Sequence, residues 1–538
     1  MYRIIAINLL MFLFCMKQYI LFWLSVPFYR IIQNQKWRKI IAENKETEYL
    51  RNVLQRNKPG DLPLSTYEDY HHYISSLTHR SRSVLTHDEI LLLEPTSGTT
   101  SATKLIPYTK GLQKEFNHAI RVWVAGLYVL KPGLIGTTQY WAISPKSTSH
   151  DKTAAVPVGF ASDSQYLGGQ QGRMMENILS LPPQVQQVSS HASWLWYTCR
   201  YLLSDHYLGL ISVWHPSFLL LITTFIEENF DGLILSIETG SIPAKVEKQP
   251  SLPLKPHAQR AKYLKETKGK IGKIHFPALW PRLQIISCWA DNSDDISLKE
   301  VKALFPGITI QPKGIIATEG IISFPLGKRS GVAAFMSHHL EFIQIGTEKL
   351  KKLHEVETGG IYEPVITTSG GLYRYRMNDQ VQITRKLAGI LPTMRFLGKR
   401  DMVSDIRGEK VSLLQAQEIR SHWQSRGVEP DFFMLSPVED GKNAFYVCYV
   451  YSSKPEKIID TYRKLTIKAE EILSSNFYYA HARKLGQLKE LRIFLLSHDP
   501  TREILRIQEK RGTKLGDIKI MELSRHTQWH THFKGRFL

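Results

Sequence analysis

The chain has 538 residues, of which 43% are hydrophobic and 11% aromatic, and these values exclude a disordered protein and predict two or more domains. Its 69 basic and 49 acidic residues give a formal net charge of +20, which favours anionic partners such as a nucleotide, pyrophosphate or a membrane surface. The basic residues are spread out and no nucleic-acid recognition motif occurs, so we expect no nucleic acid among the partners. The four cysteines lie far apart without a C-x-x-C pair, which excludes a zinc knuckle or a disulfide framework and favours a reducing cytoplasm.

The N-terminus holds two apolar runs, Ile4 to Met16 and Tyr19 to Tyr29, separated only by Lys17 and a glutamine. Together they are long enough to cross a bilayer, which takes about 20 residues, and the lysine could snorkel in a tilted or interfacial segment. Basic residues follow from Arg30 onward, which by the positive-inside rule places the rest of the chain in the cytoplasm. We expect residues 4–29 to associate with the inner face of a membrane; the alternative is a buried helix pair packed on the main body.

A phosphate-binding loop is predicted at residues 94–104, which read Glu-Pro-Thr-Ser-Gly-Thr-Thr-Ser-Ala-Thr-Lys after an apolar run. Gly98 lets the backbone approach an anion, and amides and hydroxyls can donate hydrogen bonds to phosphate beside the ammonium of Lys104. The spacing differs from G-x-x-x-x-G-K-[ST] and so disfavours an ordinary P-loop NTPase. A plain Ser/Thr-rich surface loop is the alternative. The candidate phosphate ligands are Thr96, Ser97, Gly98, Thr99 and Thr100.

Helices and strands alternate along the rest of the chain. Hydrophobic periodicity and capping residues predict helices at 34–57, 109–130, 192–204, 217–229, 411–426 and 455–474, and strands at 138–144, 208–214, 284–289, near 308–310, 341–345, 361–368, 380–385 and 394–397, and at 444–451 and 491–496. The polar, basic stretch 241–273 is predicted to wrap the surface. Charged, glycine-punctuated loops at 398–401 and 407–410 mark a boundary. We therefore predict a small domain at 400–538 after a large domain at 31–399 and the N-terminal segment 1–30.

Three further islands, at 313–320, 371–379 and 396–401, combine turn-forming residues with groups suited to nucleotides. In the first, an apolar strand leads to Thr318 and Glu319, and strand ends carry the sites of α/β proteins. In the second, Asp379 could accept both hydroxyls of a ribose, while neighbouring arginines and tyrosines suit phosphate and base. Singly, each island could be a helix cap, a turn or a surface ion pair, but their order and separation together favour a nucleotide site.

The chain resembles the adenylate-forming superfamily and, more narrowly, the bacterial branch of the auxin-responsive acyl-acid amido synthetase family. The resemblance runs from about Gln35 to the C-terminus and rests on residues 96–109, 288–291, 317–320, 372–379 and 408–410. It implies a luciferase-like α/β fold with a large multi-sheet N-terminal adenylation domain and a smaller, mobile C-terminal α/β domain. The chain departs from the family pattern at Ser101 and Asn378, where glycine is usual, and at Lys399, where arginine is expected; asparagine tolerates positive φ better than most residues.

The resemblance also implies the roles of the residues that would hold ATP and Mg²⁺. Residues 96–104 would bind the phosphates, with Lys104 as a catalytic cation. Thr318 would contact the α-phosphate and Glu319 would bind the metal. Asp379 would hold the ribose hydroxyls, with Tyr375 beside the nucleotide.

Other implied roles involve the boundary, the C-terminus and the acid. Lys399 or Arg400 would reach the ribose or a phosphate as the small domain closes. Lys534 would match a catalytic lysine near the family's C-terminus. Trp289 and Phe324 are candidates for lining the acyl pocket, although such aromatic residues are more often simply core.

The implied function is an ATP-dependent acyl-acid amido synthetase. Such an enzyme adenylates a small carboxylic acid with release of pyrophosphate, then transfers the acyl group to an amine, here expected to be an amino acid, with release of AMP. Two alternatives stay open: an acyl-CoA ligase with a thiol acceptor, and a degenerate nucleotide-binding, membrane-associated protein.

Overall fold

The computed structural model describes residues 1–77, 83–95, 104–142, 169–188, 190–249, 251–271, 274–291, 296–327, 331–399, 403–440, 443–510 and 520–538. The chain folds into two units, Met1–Leu397 and Gly398–Leu538. The predicted strand and loop residues 143–144, the phosphate-loop residues Thr96 to Thr103, and Arg400 and Asp401 lie outside the described residues.

The helices described in the first unit range in length from four to 24 residues. They are α1 (Tyr2–Ser25), α2 (Tyr29–Asn44), α3 (Glu48–Leu54), α4 (Glu68–Leu77), α5 (Lys110–Leu130), α6 (Gly169–Glu176), α7 (His191–Ser204), α8 (Pro216–Thr239), α9 (Ala258–Ile271), α10 (Phe276–Leu279) and α11 (Ile296–Leu304). Thr109 caps α5 by accepting a hydrogen bond from the Leu112 amide at 3.0 Å, which confirms the predicted start of that helix.

A parallel four-stranded sheet lies in the first unit, in the order β3 (Thr138–Trp141), β4 (Leu208–Ser212), β5 (Ile285–Cys288) and β6 (Thr309–Pro312). Helices connect its successive strands, as parallel pairing requires. Its strands read as apolar runs because both faces are covered, and β4 and β5 are buried throughout. The carboxyl ends of all four strands therefore meet at one edge.

The first unit also contains an antiparallel sheet and a separate hairpin. The sheet order is β10-β9-β11-β13-β14-β8-β7, with β12 paired to β11. Its strands are β7 (Ser323–Phe324), β8 (Gly331–Ala333), β9 (His339–Gln344), β10 (Leu350–Lys352), β11 (Ile361–Thr367), β12 (Tyr375–Arg376), β13 (Asp379–Leu387) and β14 (Leu391–Lys399). The hairpin pairs β1 (Ile90–Pro95) with β2 (Leu105–Thr109).

The N-terminal helix α1 packs on α5. Asn8, Met11, Cys15 and Phe22 are buried along one side of it, and the ring of Phe22 lies 5.6 Å from that of Phe324. The helical stretch from residue 2 to 44 is long and apolar enough to cross a membrane by length and composition, and 22% of its most apolar window is buried. One side of α1 is therefore packed on the main body, as in the alternative to membrane association that was given for the N-terminal segment.

The second unit is a four-stranded sheet covered by helices on both faces. The sheet order is β17 (Phe432–Asp440), β18 (Asn443–Tyr451), β19 (Arg492–Leu496) and β20 (Gly535–Phe537), and β18 and β19 are parallel. Alternate residues of β18 enter different cores, Tyr446 and Cys448 on one face and Val447 and Tyr449 on the other, as the two-residue period of a strand dictates. The remaining elements are β15 (Val403–Ser404), β16 (Val411–Ser412), α12 (Leu413–Ser425), α13 (Glu456–Ser474), α14 (Phe477–Lys484), α15 (Thr501–Lys510) and α16 (Trp529–His532).

The structure differs from the sequence-based prediction at one helix and adds two elements that were not predicted. The helix predicted at 34–57 is two helices, because Thr47 starts α3 by accepting from the Leu50 amide. The stretch 241–273 contains α9, whose buried Arg260 donates to the carbonyls of Leu203 and Leu279. Strand β17 escaped notice because both its faces are covered, so its sequence does not alternate.

All four cysteines are buried and none of them forms a disulfide. They are small core residues, as expected of cysteines that lie far apart in the chain. Burial raises the pKa of the Cys15 thiol to about 12, so this thiol stays protonated and unreactive at neutral pH.

Candidate functional site

The ends of the predicted phosphate loop are held together by the β1–β2 hairpin. Pro95 lies opposite Leu105 in the antiparallel register, so residues 96–104 connect adjacent strand ends. Lys104 precedes β2, and its ammonium lies 5.4 Å from the ring centroid of Tyr67. The Tyr67 hydroxyl accepts a hydrogen bond from the Leu105 amide at 2.9 Å, which fixes the residue that follows Lys104.

Thr318 and Glu319 form the tip of a two-residue turn. The amide of Ala317 donates to the Gly320 carbonyl at 3.1 Å, and the Gly320 amide donates back at 3.2 Å. Ile316 and Ile321 continue the antiparallel pairing below the tip. Both tip side chains are half-buried, so the turn presents a hydroxyl and a carboxylate side by side.

A buried Glu115–His338 pair supports this turn from behind. His338 Nε2 accepts from the Ile321 amide at 3.0 Å, so Nδ1 carries the proton and donates to Glu115 at 2.9 Å. The same carboxylate accepts from the Ser369 amide at 3.1 Å and from its hydroxyl at 2.7 Å. One carboxylate on α5 therefore positions both the Thr318–Glu319 turn and the loop that begins at Ser369.

That loop leads to Tyr375 through a constrained backbone. Gly371 has φ +95°, and a Cβ there would lie 2.7 Å from the Cβ of Leu85, so glycine is required. Asn378 has φ +53°, which explains why the family usually has glycine here and why asparagine is tolerated. Asp379 opens β13 and is buried.

Tyr375 lies where the separate segments meet. Burial raises the pKa of its hydroxyl, and the nearby carboxylates of Glu319, Glu68 and Asp379 raise it further. The pKa of Glu68 is lowered by hydrogen bonds from its own amide and from Thr66, and further by the charge of Lys104. Glu319 and Asp379 thus both influence Tyr375, and Lys104 is connected to it through Glu68, although 215 or more residues of chain separate Lys104 from these three residues.

The two arginines beside Tyr375 have structural partners. Arg374 forms a forked ion pair with the buried Glu341, at 3.0 and 3.1 Å, and Arg376 forms another with the buried Glu363, at 3.0 and 2.7 Å. The suggestion that they suit phosphate or base was therefore wrong for this structure. They fix the strand that carries Tyr375 instead.

Aromatic residues and a lysine gather at the carboxyl edge of the parallel sheet. Trp289 follows β5, its ring lies 5.5 Å from that of Trp214, and its amide donates to the Trp214 carbonyl at 2.7 Å. The buried Lys313 follows β6, donates to Ser212 Oγ at 2.7 Å, and lies 4.5 Å from the Trp214 ring centroid. The sequence analysis placed this lysine at the start of the 313–320 island but gave it no role; its place directly after a buried strand was the available signal.

The other predicted site residues belong to elements not yet considered. Phe324 is 2% exposed and its ring packs in the core against Phe22. Lys399 ends β14. Lys534 is exposed just before β20, and its carbonyl accepts from the Ser497 amide at 3.0 Å.

No cluster of three or more His, Cys, Asp or Glu side chains able to hold a metal occurs among the described residues. A magnesium ion commonly takes one or two protein carboxylates together with substrate phosphates. The half-buried Glu319 carboxylate at the tip of its turn fits that mode of binding.

Two family models match most of the chain. The GH3 family N-terminal domain matches residues 29–310, and the GH3 family central domain matches residues 331–399. The chain belongs to the GH3 family. This confirms the resemblance inferred from the motifs, and it makes this GH3 protein an ATP-dependent ligase that adenylates a carboxylic acid and transfers the acyl group to an amine.

GH3 relatives share a low sequence identity with this chain but align with most of its length. Indole-3-acetic acid-amido synthetase GH3.4 of Arabidopsis thaliana is 23% identical over 428 residues, covering 72% of this chain and 70% of that protein. Jasmonoyl--L-amino acid synthetase GH3.5 of Oryza sativa subsp. japonica is 24% identical over 446 residues, covering 70% and 72%.

Solved structures confirm the predicted α/β fold class. The GH3.15 acyl acid amido synthetase superposes with a TM-score of 0.79 at 18% identity, covering 97% of this chain and 96% of that chain. A 2-hydroxyisobutyryl-CoA ligase in its postadenylation state superposes with a TM-score of 0.55 at 9% identity, covering 93% and 90%. These likenesses show that the GH3 chain has the fold of adenylate-forming enzymes.

Proposed function

We propose that this GH3 protein joins a small organic acid to an amino acid at the site around Tyr375. The supporting observation is that the carboxylates of Glu319, Asp379 and Glu68 all raise the pKa of the Tyr375 hydroxyl. The charge of Lys104 in turn lowers the pKa of Glu68. Widely separated segments thus supply a cation and two carboxylates around one point. That set suits a nucleotide with its phosphates and ribose.

In the first step, an oxygen of the acid's carboxylate attacks the α-phosphorus of ATP in line, and the bond to pyrophosphate breaks. Charge grows on the pyrophosphate oxygens, so a nearby cation lowers the barrier. We assign that role to Lys104 and to donors in residues 96–103. Thr318 would donate to the α-phosphate, and the Asp379 carboxylate would accept from the ribose hydroxyls.

Glu319 is the residue we propose to hold Mg²⁺. A bound magnesium ion would supply neutralising charge on the phosphates. The protein's own contribution is to fix that carboxylate, because the double hydrogen bond between Ala317 and Gly320 and the His338 contact leave the turn little freedom.

In the second step, the neutral nitrogen of the amine attacks the acyl carbon of the adenylate. The amide C–N bond forms, the bond to the AMP oxygen breaks, and the nitrogen's proton passes to water. Lys399, Arg400 and Lys534 remain proposed participants in this step through their positive charge.

The acid is proposed to bind near Trp289, at the carboxyl edge of the parallel sheet. The adjacent Trp214 ring and the Lys313 ammonium would favour a flat or unsaturated acid, because aromatic faces stack on such groups. Phe324 would contribute only from the surrounding core.

Pyrophosphate release with a panel of organic acids, with hydroxylamine to trap the adenylate, tests this proposal. Lys104→Ala and Glu319→Ala should each lower the rate about 100-fold or more, as loss of a charge-stabilising group does. Lys110→Ala is the matched control, because Lys110 pairs with Glu89 on the surface. Unchanged release by either site variant would reject the assignment.

The acceptor is tested by adding amino acids or coenzyme A to the trapped adenylate. Formation of an amide with release of AMP supports the proposal. Thioester formation alone would establish the acyl-CoA ligase alternative, and ATP binding without turnover of any acid would establish the degenerate binding protein.

We also propose that the enzyme works in the cytoplasm, with residues 4–29 in contact with a membrane.

A further inference from the structure

The N-terminal arm, which we define as residues 2–44, is attached to the body by a polar stripe. Asn8 donates to the Thr137 carbonyl at 2.9 Å and accepts from the Tyr128 hydroxyl at 2.6 Å. Gln33 donates to the carbonyls of Phe335 and His338, both at 2.7 Å, and accepts from the Leu340 amide at 2.7 Å. Between Asn8 and Gln33 the buried side chains recur every three or four residues: Asn8, Met11, Cys15, Gln18, Phe22, Val26, Tyr29 and Gln33.

These hydrogen bonds exclude a transmembrane position for the arm in this fold. A spanning helix would have to leave the body and carry the Asn8 and Gln33 amides into hydrocarbon, where each unpaired polar group is costly. It would also strip the Thr137, Phe335 and His338 carbonyls of their partners. The arm is therefore fixed on the protein along one side.

The outward side of the arm is apolar, the reverse of an ordinary surface helix. Nine large apolar side chains there are between 38% and 65% exposed: Leu9, Leu10, Leu13, Ile20, Leu21, Trp23, Leu24, Phe28 and Ile31. On α1 this apolar face is interrupted by the exposed Lys17, whose ammonium can extend to the polar side of an interface. An apolar face of this extent marks an interaction site.

The charge of the arm indicates what covers this face. The first 42 residues contain no aspartate or glutamate but six basic residues, Arg3, Lys17, Arg30, Lys36, Arg38 and Lys39, and all of these except Lys36 are exposed. An apolar face flanked by basic residues suits an anionic lipid surface. A second copy of the arm would instead bring together two segments whose first 42 residues carry only positive charges.

We propose that the arm lies flat in the surface of an anionic membrane, with its apolar face in the boundary between head groups and acyl chains. This deepens the proposed membrane contact of residues 4–29 and does not depend on the amide-forming reaction. The exposed lysine and arginine side chains extend to the head groups. The enzyme is thereby held against the membrane without crossing it.

Sedimentation of the full-length protein with preformed vesicles tests the proposal. Vesicles of phosphatidylcholine with phosphatidylglycerol should retain the protein, and vesicles of phosphatidylcholine alone should retain about ten-fold less. The double variant Leu13→Glu/Leu24→Glu should lose at least about ten-fold in retention. Leu235→Glu is the control, because Leu235 is 55% exposed on α8, outside the arm, and it should bind like the unaltered protein.

Three results would overturn the proposal. Equal retention of the double variant would show that this face is not the contact. Retention that resists alkaline carbonate would show a spanning segment. Self-association that the double variant abolishes, with no vesicle binding, would identify a second copy as the occupant. Pyrophosphate release measured in lipid-free buffer should be the same for the double variant, so failure of this proposal and failure of the proposed reaction are separable.

Discussion

Replacing Glu115 by alanine should disturb the candidate site from behind without removing any group proposed to touch a substrate. The carboxylate accepts from His338 Nδ1 at 2.9 Å and from the amide and hydroxyl of Ser369 at 3.1 and 2.7 Å. Glu115 and His338 are both buried, so water cannot replace the lost acceptor. The Thr318–Glu319 turn and the loop toward Tyr375 would lose their shared support.

The expected cost is about 3–5 kcal/mol, the range for breaking a buried hydrogen-bonded pair. The first unit has 397 residues, and an unfolding entropy of about 2.1 cal/mol/K per residue gives about 0.8 kcal/mol/K for it. The melting temperature of this unit should therefore fall by about 4–6 °C. At a temperature where the variant stays folded, pyrophosphate release should fall about 10- to 100-fold, because misplacement by about 1 Å has effects of that size.

Differential scanning calorimetry and pyrophosphate release at saturating and limiting ATP measure the two effects. Glu115→Gln, which keeps one acceptor oxygen, should lie between alanine and the unaltered protein in both. Glu89→Ala is the matched control, since its pair with Lys110 is more than half exposed and should matter little. A Glu115→Ala protein that melts lower but retains full activity would refute the positioning role, and one unchanged in both would refute the structural argument.

Three other substitutions have expected outcomes of different sign. Burial raises the pKa of Asp291 to about 6, although the hydrogen bond from the Phe396 amide opposes this shift. The native state therefore binds a proton that the unfolded state has released, and the free energy of unfolding falls as pH rises from about 4 to 6. Asp291→Asn should remove that slope in urea titrations and stabilise the protein at pH 7 by about 1–3 kcal/mol. Gly371→Ala, at φ +95° with Leu85 2.7 Å away, should lower the melting temperature by several degrees. Gly232→Ala, in α8 with open space around it, should raise unfolding free energy by about 0.5–1 kcal/mol; the opposite sign for either glycine would contradict the packing described.

Local signals in the sequence were sufficient for many elements. The helix that starts at Thr109 and the strand around Ile285 were predicted close to their observed bounds, because a capping hydroxyl and a buried apolar run are encoded by neighbouring residues. The motifs also sufficed for family and reaction class, since each requires particular residue types at short spacing.

Tertiary structure decided which side chains serve the site and which serve the scaffold. Arg374 and Arg376 resemble phosphate ligands in sequence, yet Glu341 and Glu363, which lie 33 and 13 residues earlier in the chain, hold them in ion pairs. Glu115 carries no motif at all, and its importance arises only because α5 brings it to His338. Sequence by itself determined the chemistry available to this GH3 protein, because that depends on residue type. Only the fold determined which side chains serve the site, which serve the scaffold, and that one side of the N-terminal arm is exposed. The reason is that the partners and the burial of a side chain are set by contacts between residues far apart in the chain.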